Sequence, residues 1–289
     1  MTQQALNTQG HRAQASVGRW LLLGLAGVLA VLFVFPIVWA MVTSVKPPGE
    51  AVSSPLALPT HLTFDNYEHI SNYGIGIWGY LKNTVFLSGL SVAGTVFLST
   101  LAGYGFARFD FFGKNIVFVL VLATLMIPFQ TTLVPIFLVL NRLNLTNSLI
   151  GLSLVYITFQ LPFGIFMMRN SFSSLPRELE EAALVDGTTA WGALFRVMLP
   201  LVLPGVATVL IFTFLNCWNE FLAALIFLSD QDKFTLPVML LSARTGEQGT
   251  IDWGALQAGV TITAVPTIVV FLALQRYYIA GMVSGAVKA

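Results

Sequence analysis

The sequence predicts an all-α polytopic membrane protein with six transmembrane helices. Hydrophobic residues make up 56% of the 289 residues and charged residues only 9%, whereas soluble domains average about 45–50% apolar and about 25% charged. The mean hydropathy is +0.81. The apolar residues also fall into six blocks, each near or above the length of about 20 residues that a helix needs to cross a bilayer.

These blocks define the predicted organisation of the chain. We place the spans at residues 19–44, 80–106, 116–140, 149–168, 200–228 and 255–275. The first block is read as a retained helix, because its apolar run exceeds the about 7–15 residues of a signal-peptide core. The other segments are an N-terminal tail (1–18), an external loop (45–79), a core transmembrane domain (80–275) with a cytoplasmic loop (170–199) and a second external loop (229–254), and a C-terminal tail (276–289).

Basic residues predict the orientation, because Lys and Arg are enriched in cytoplasmic loops. With a cytoplasmic N-terminus, the inner side carries Arg12, Arg19, Arg108, Lys114, Arg169, Arg177, Arg196, Arg276 and Lys288. The outer side then carries Lys46, Lys82, Arg142, Lys233 and Arg244. This ratio of nine to five favours cytoplasmic positions for both termini.

The second span carries small residues at helical spacing, Gly89 with Ala93 and Ser99 with Gly103. Such pairs let two helix backbones approach closely in a membrane. The second span is therefore predicted to pack tightly against another helix.

Polar side chains interrupt the third, fourth and fifth spans. Polar groups at membrane depth are tolerated only against protein or a wet cavity, so these helices are predicted to face a solute path. The candidate path residues are Gln130, Tyr156, Gln160, Asn216, Trp218, Asn219 and Glu220. A carboxylate in mid-bilayer costs about 2.5–3.5 kcal/mol, which leaves two roles open for Glu220: a structural one near the outer interface, or lining the path.

The long loop between the fourth and fifth spans carries the signals of a helix-turn-helix. Pro176 suits the first turn of a helix, and three glutamates follow within five residues. Gly187 can adopt the left-handed conformation that ends a helix. Thr188 or Thr189 can cap a second helix, whose predicted apolar face consists of Trp191, Leu194, Phe195 and Met198.

This loop has an acidic first arm, with three glutamates and one arginine. Helices that lie on a membrane surface usually have a polar face rich in Lys and Arg. The composition therefore favours docking to a protein partner, with a bare connecting loop as the alternative.

Several segments resemble binding-protein-dependent ABC importer permeases. EAALVDG at residues 181–187, followed after nine residues by VMLP at 197–200, is similar to the EAA loop of that family, with Val197 at the position of an isoleucine. Five further segments resemble the carbohydrate-uptake branch and its smaller maltose-type permease subunit: AGYGFARFDF from Ala102, IPFQTTLVP from Ile127, WNEF from Trp218, TLPV from Thr235, and the C-terminal residues from Gln275.

The resemblance implies a type I ABC importer transmembrane fold with a cytoplasmic EAA coupling helix held in a cleft of an ATPase subunit. Glu181 would make a polar contact to the ATPase, Ala182 and Ala183 would fit a pocket for small residues, and Gly187 would make the turn. The implied ATPase-coupling residues are Glu181, Ala182, Ala183, Asp186, Gly187, Leu199 and Pro200.

The resemblance also implies the setting of the chain. It would be a permease subunit in the bacterial inner membrane, forming half of the path for a sugar or oligosaccharide. Its partners would be a second homologous permease subunit, an ATPase subunit dimer, an external solute-binding protein, the sugar and membrane lipid. The chain would bind no cofactor, since ATP and Mg²⁺ would be held by the ATPase subunits.

Two rival classes find little support in the residues. An ion-coupled carrier should have acids or histidines in mid-span, and only Glu220 comes near. A membrane enzyme needs a converging nucleophile, base or metal ligand set, and the three histidines and the single Cys217 suggest neither a catalytic nor a metal site. The formal charge of +1 implies no nucleic-acid partner.

Overall fold

The structure, a computed structural model, describes the backbone of residues 2–243 and 251–286 and the side chains of residues 19–243 and 251–275. In these ranges every regular element is helical. The α-helices are α1 Thr2–Ser44, α2 Glu50–Ser53, α3 Asp65–Ser71, α4 Ile77–Arg108, α5 Lys114–Ala123, α6 Phe129–Arg142, α7 Leu149–Ser173, α8 Glu178–Val185, α9 Ala190–Gly192, α10 Leu199–Leu201, α11 Leu203–Asn219, α12 Leu222–Phe227, α13 Leu236–Ala243 and α14 Trp253–Ala286. Short 3₁₀ turns cover Thr124–Met126 and Gln231–Lys233, and a π-helix covers Ala193–Met198.

The predicted all-α membrane fold is confirmed. Among the described residues, four helical stretches are long and apolar enough to cross a bilayer unaided, namely Arg19–Ser44, Ile77–Arg108, Leu149–Ser173 and Trp253–Gln275. Two bent pairs overlap the other predicted spans: Lys114–Met126 with Phe129–Arg142, and Ala190–Leu201 with Leu203–Asn219. Most of Ala190–Leu201 precedes the predicted fifth span (200–228). The number of spans is six if each bent pair counts as one.

The third predicted span (116–140) is not a continuous helix. Its two halves meet at an angle of 104°. Ile127 and Pro128 are extended at the break, with ψ values of 117° and 128°. Proline disfavours the helical conformation of the residue before it and has no N–H to donate, so Pro128 accounts for the bend.

The fifth predicted span (200–228) is also interrupted. It bends by 78° near Val202, just before Pro204, and it ends at Glu220, whose ψ is 130°. Of the predicted segment, α11 therefore contributes 17 residues as one straight helix. The short helix α12 follows as a separate element.

Secondary structure does not mark the predicted boundaries of the two tails. Helix α1 begins at Thr2 and continues through the predicted start of the first span at residue 19. Helix α14 likewise runs on to Ala286. Residues 244–250 of the predicted second external loop and 287–289 of the C-terminal tail lie outside the described residues.

The chain divides into two compact units, Met1–Ile70 with Arg244–Thr261, and Ser71–Ala243 with Ile262–Ala289. In the first unit, part of the predicted external loop is ordered around a fully buried lysine. Lys46 Nζ donates to the carbonyls of Ser54 (2.9 Å) and Pro55 (3.2 Å). Asn66 Nδ2 donates to the Lys46 carbonyl at 2.7 Å, so this loop segment has a polar core of its own.

The second unit is built on the pair α4 and α7, which pack along their lengths. At Gly103 the two backbones approach so closely that a Cβ would lie 2.8 Å from the Arg169 backbone nitrogen. Ser99 meets Gly164 in the same way, where a Cβ on the glycine would lie 2.8 Å from the serine Cβ. Of the two predicted small-residue pairs, Ser99 with Gly103 thus makes the helix contact, whereas a Cβ at Gly89 would meet nothing within 4 Å.

This difference gives a matched pair of substitutions. We expect Gly103→Ala to lower stability by about 1–3 kcal/mol, because the added methyl group forces α4 and α7 apart. Gly89→Ala places the same methyl group in the same helix without a contact and should be neutral or slightly stabilising. Thermal unfolding of the detergent-solubilised chain would measure both, and equal melting temperatures would contradict the close approach.

Candidate functional site: the surface elbow and a polar cavity

We call residues 176–198 the elbow. Its first arm is α8, the eight residues Glu178–Val185 with acidic residues in the first turn. The helix starts after Pro176, where the Arg177 carbonyl accepts from the backbone N–H groups of Glu180 (3.0 Å) and Glu181 (3.1 Å). The glutamates complement the positive end of the helix, so the predicted first arm is present.

Gly187 makes the turn between the arms, with φ at +84°. The Gly187 N–H donates to the Leu184 carbonyl at 3.0 Å, and the Thr188 N–H donates to the Ala183 carbonyl at 3.1 Å. These are the two hydrogen bonds of a Schellman C-cap. A Cβ on Gly187 would meet nothing within 4 Å. Backbone conformation, not space, therefore favours glycine at this position.

The second arm starts where Thr189 Oγ1 accepts from the Gly192 N–H at 3.2 Å. The predicted single apolar face of this arm is wrong. Leu194 and Met198 are buried, whereas Trp191 and Phe195 are 62% and 42% exposed and stack on each other. The π-helix explains this division. Its turn is wider than that of an α-helix, so residues four positions apart, such as Leu194 and Met198, share a face. Residues three positions apart, such as Phe195 and Met198, do not.

The predicted coupling residues differ in their exposure. Ala183 is buried, and Leu199 packs partly buried against the cluster that contains Phe172 and Met198. The remaining five are exposed: Glu181, Ala182, Asp186, Gly187 and Pro200.

Sequence reasoning missed the environment of Glu180. It treated the glutamates of the first arm as one acidic surface, yet Glu180 turns toward α4 and accepts a hydrogen bond from Tyr104 Oη. Arg108 Nε lies 3.3 Å from the same carboxylate. The acidic surface thus consists of fewer residues than the composition suggested.

A cavity of about 230 Å³ lies among α6, α7 and the end of α11. Most of its wall is apolar, and we call it the polar cavity for the four polar side chains that line it. Four of the predicted path residues line it: Tyr156, Gln160, Asn216 and Glu220. Phe129, Phe159 and Cys217 complete the lining. The combination of aromatic rings with amide and carboxylate groups offers both stacking and hydrogen bonding to a bound molecule.

Glu220 also has a structural role. Its Oε1 accepts from the Ala223 N–H at 2.8 Å and its Oε2 from the Ala224 N–H at 3.1 Å, which caps the first turn of α12. Tyr156 Oη donates to the same carboxylate. The two roles left open by the sequence are therefore compatible in one side chain.

The other three predicted path residues do not line this cavity. Trp218 is buried and donates from Nε1 to the Thr263 carbonyl at 3.0 Å, which ties α11 to α14. Asn219 is exposed and bonds within its own helix to the Leu215 carbonyl. Gln130 is exposed in the first turn of α6.

A polar bracket, centred on Asn147, joins the loop before α7 to the segment after α12. Asn147 has a φ of +52°, and its Oδ1 accepts from the backbone N–H groups of Ser229 (3.0 Å) and Asp230 (3.2 Å). Hydrogen bonds from Lys233 and Asn147 lower the pKa of Asp230. The contribution of the Asp230 carboxylate is therefore complete above the ordinary carboxylate pKa and is lost as the pH falls through the lowered one, whereas the two backbone hydrogen bonds to Asn147 Oδ1 do not titrate.

The apolar helices define a multi-pass membrane protein. Residues 95–283, more than half of the chain, match the family described as binding-protein-dependent transport system inner membrane component. The chain belongs to this family.

Individual relatives are close over most of their length. The chain is 38% identical to the diacetylchitobiose uptake system permease protein NgcG of Streptomyces coelicolor, covering 88% of this chain and 84% of the relative. It is 36% identical to the arabinooligosaccharides transport system permease protein AraQ of Bacillus subtilis, covering 96% and 99%. The described fold is similar to a chain of a bacterial ABC transporter that imports the acidic polysaccharide alginate, with a TM-score of 0.77 at 23% identity, covering 92% and 97%.

The capping role of Glu220 can be tested by substitution. Glu220→Leu removes a charged acceptor from two backbone N–H groups and should lower stability by about 1–3 kcal/mol. Asn219→Leu changes the neighbouring exposed side chain and should alter stability by less than about 0.5 kcal/mol. Thermal unfolding in detergent measures the difference, and equal values for the two variants would argue against the cap.

Proposed function

We propose that this chain is a permease subunit of an ATP-driven ABC importer, forming half of the path for a sugar or oligosaccharide delivered by a solute-binding protein. It acts with a second homologous permease subunit and an ATPase subunit dimer, in the bacterial inner membrane with both termini cytoplasmic. ATP and Mg²⁺ are bound by the ATPase subunits, so this chain supplies no catalytic group. The sugar-transporting relatives support the substrate class.

The observation that carries the proposal is the architecture of the elbow. Its turn is fixed by Gly187 and the double C-cap hydrogen bond. Its inner side is anchored through Ala183, Leu194 and Met198, while Glu181 and Ala182 remain exposed. A rigid projection with an exposed acidic and small-residue face suits a cleft on a partner protein.

Coupling then follows from mechanics. When the two ATPase subunits close on ATP, an elbow held by each must move with its subunit. The elbow is continuous with α7 on one side and with α10 and α11 on the other. Its displacement tilts these helices and switches the path between its inward-facing and outward-facing states.

The polar cavity forms part of the sugar path in this proposal. Phe129, Tyr156 and Phe159 present rings, and Gln160 and Asn216 present amides. Sugars bind through stacking on aromatic faces and hydrogen bonds to their hydroxyl groups. The rival class, an ion-coupled carrier, would drive uptake in vesicles from an ion gradient without any ATPase.

The ATPase contact is tested at Glu181. We expect Glu181→Lys to abolish ATP-driven transport and to reduce co-purification of the ATPase, because reversed charge opposes the polar contact. Asp232→Lys makes the same reversal in an exposed residue of the predicted outer segment and should leave the ATPase attached. Co-purification in mild detergent is the measurement. Unaltered attachment in the Glu181 variant would remove the coupling assignment.

The turn offers a second test with a matched control. Gly187 and Gly113 both have positive φ, +84° and +77°, and a Cβ on either meets nothing within 4 Å. An alanine at either position should therefore lower the free energy of unfolding by a similar amount, about 1–2 kcal/mol, through backbone strain. We expect Gly187→Ala to reduce ATP-driven uptake into vesicles and Gly113→Ala to leave it near the wild-type rate. Equal rates for the two variants would show that the turn does not affect coupling.

The sugar path is tested by two asparagines of α11. Asn216 lines the cavity and Asn219 does not. Asn216→Ala should lower uptake of the sugar that is found on the co-purified binding protein by about tenfold, the loss of one hydrogen bond. Asn219→Ala should have no such effect, and equal uptake by both variants would rule out a contact at Asn216.

A further inference from the structure

One side chain of α4, Arg108, contacts both the elbow and the link that precedes it. Arg108 Nε lies 3.3 Å from Glu180 Oε2, and the two side chains are only 5% and 15% exposed. Arg108 Nη2 also donates to the Leu175 carbonyl at 3.0 Å. Leu175 precedes Pro176, so Arg108 contacts both the end of the link from α7 and the first turn of α8.

Tyr104 adds a third contact, four residues earlier on α4. Its hydroxyl group donates to Glu180 Oε1, and its ring packs edge-on against Phe172 of α7 and Phe109, with centroid distances of 5.4 Å and 5.7 Å. The tyrosine is 5% exposed. We call Tyr104, Arg108 and Glu180 the α4 clamp.

The clamp changes how the elbow is attached. Helix α8 follows α7 through the short link 174–177 and packs against the π-helix; the clamp adds a side-chain attachment to α4. Glu180 and Glu181 are adjacent on the helix, and they point in different directions: one is bound to α4 and the other is exposed. A buried ion pair is costly to break, because each partner left alone would be an unpaired charge in a medium of low dielectric constant.

We propose that Arg108 and Tyr104 are positioning residues for transport: they fix the angle of the elbow and make α4 move together with it. The inference rests on the proposed function, since it presumes that a partner displaces the elbow. Among the described residues, α4 and α7 make the most extensive contact between any two helices. Displacement of the elbow is then transmitted to α4 directly, and not only through the helices that the loop joins in sequence.

The test measures sugar transported per ATP hydrolysed by the complete importer in lipid vesicles, with the binding protein added. We expect Arg108→Gln and Glu180→Gln each to lower this ratio by about twofold to thirtyfold, the range for contacts that modulate coupling. The double variant should recover part of the loss, because it leaves no unpaired charge. Arg19→Gln, which changes an exposed arginine of α1 outside the elbow, should keep the wild-type ratio.

Tyr104→Phe keeps the ring packing and removes only the hydroxyl group, so it carries the test if the charge variants assemble poorly. A merely structural role would reduce the amount of folded importer without changing sugar transported per ATP in the importer that assembles. Wild-type ratios in Tyr104→Phe and in both single variants, or a double variant no better than either single one, would overturn the inference.

Failure of the inference and failure of the proposed function give different results. If Glu181→Lys releases the ATPase while the clamp variants keep the wild-type ratio, only the clamp is refuted. If the wild-type chain does not co-purify with an ATPase at all, the proposed function fails and the clamp fails with it.

Discussion

Backbone groups freed at a helix break inside a bilayer must be satisfied by the protein itself, and the break between α11 and α12 follows that constraint. At the end of α11, the Glu220 carboxylate accepts the two N–H groups that open α12, and Tyr156 of α7 donates to the same group. These two N–H groups therefore need no acceptor from water or lipid. It also places a carboxylate and two amides beside three aromatic rings, in the cavity of about 230 Å³.

Local signals were the part of the structure that the sequence predicted well. The left-handed turn at Gly187 and the cap at Thr189 depend on residues a few positions apart, so a residue-level reading finds them. The six apolar blocks likewise predicted the class of fold. The bends were harder, because Pro128 breaks its helix while Pro162 and Pro266 lie within continuous helices. A proline alone does not determine whether a membrane helix bends.

Contacts between distant segments could not be predicted in the same way. Glu180 and Arg108 are 72 residues apart, and their pairing depends on the rotation of two helices about their axes. Asn147 gave no signal in the sequence, yet it binds the backbone of residues 229 and 230. Trp191 and Phe195 are exposed while Leu194 and Met198 are buried, and this difference depends on the π-helix. Hydrophobic periodicity does not reveal a π-helix. Four of the seven predicted path residues line the cavity. The other three do not, because the polarity of a side chain does not indicate the direction in which it faces.

The inward direction of Glu180 bears on how such subunits can be engineered. A chimera that receives only residues 176–198 would contain Glu180 without Arg108, which is its counter-charge on α4. In a recipient protein without an arginine at the corresponding position, the Glu180 carboxylate would be mostly buried and would have no counter-charge. Grafting residues 176–198 into another membrane protein therefore has to include the C-terminal end of α4 as a second, non-contiguous piece.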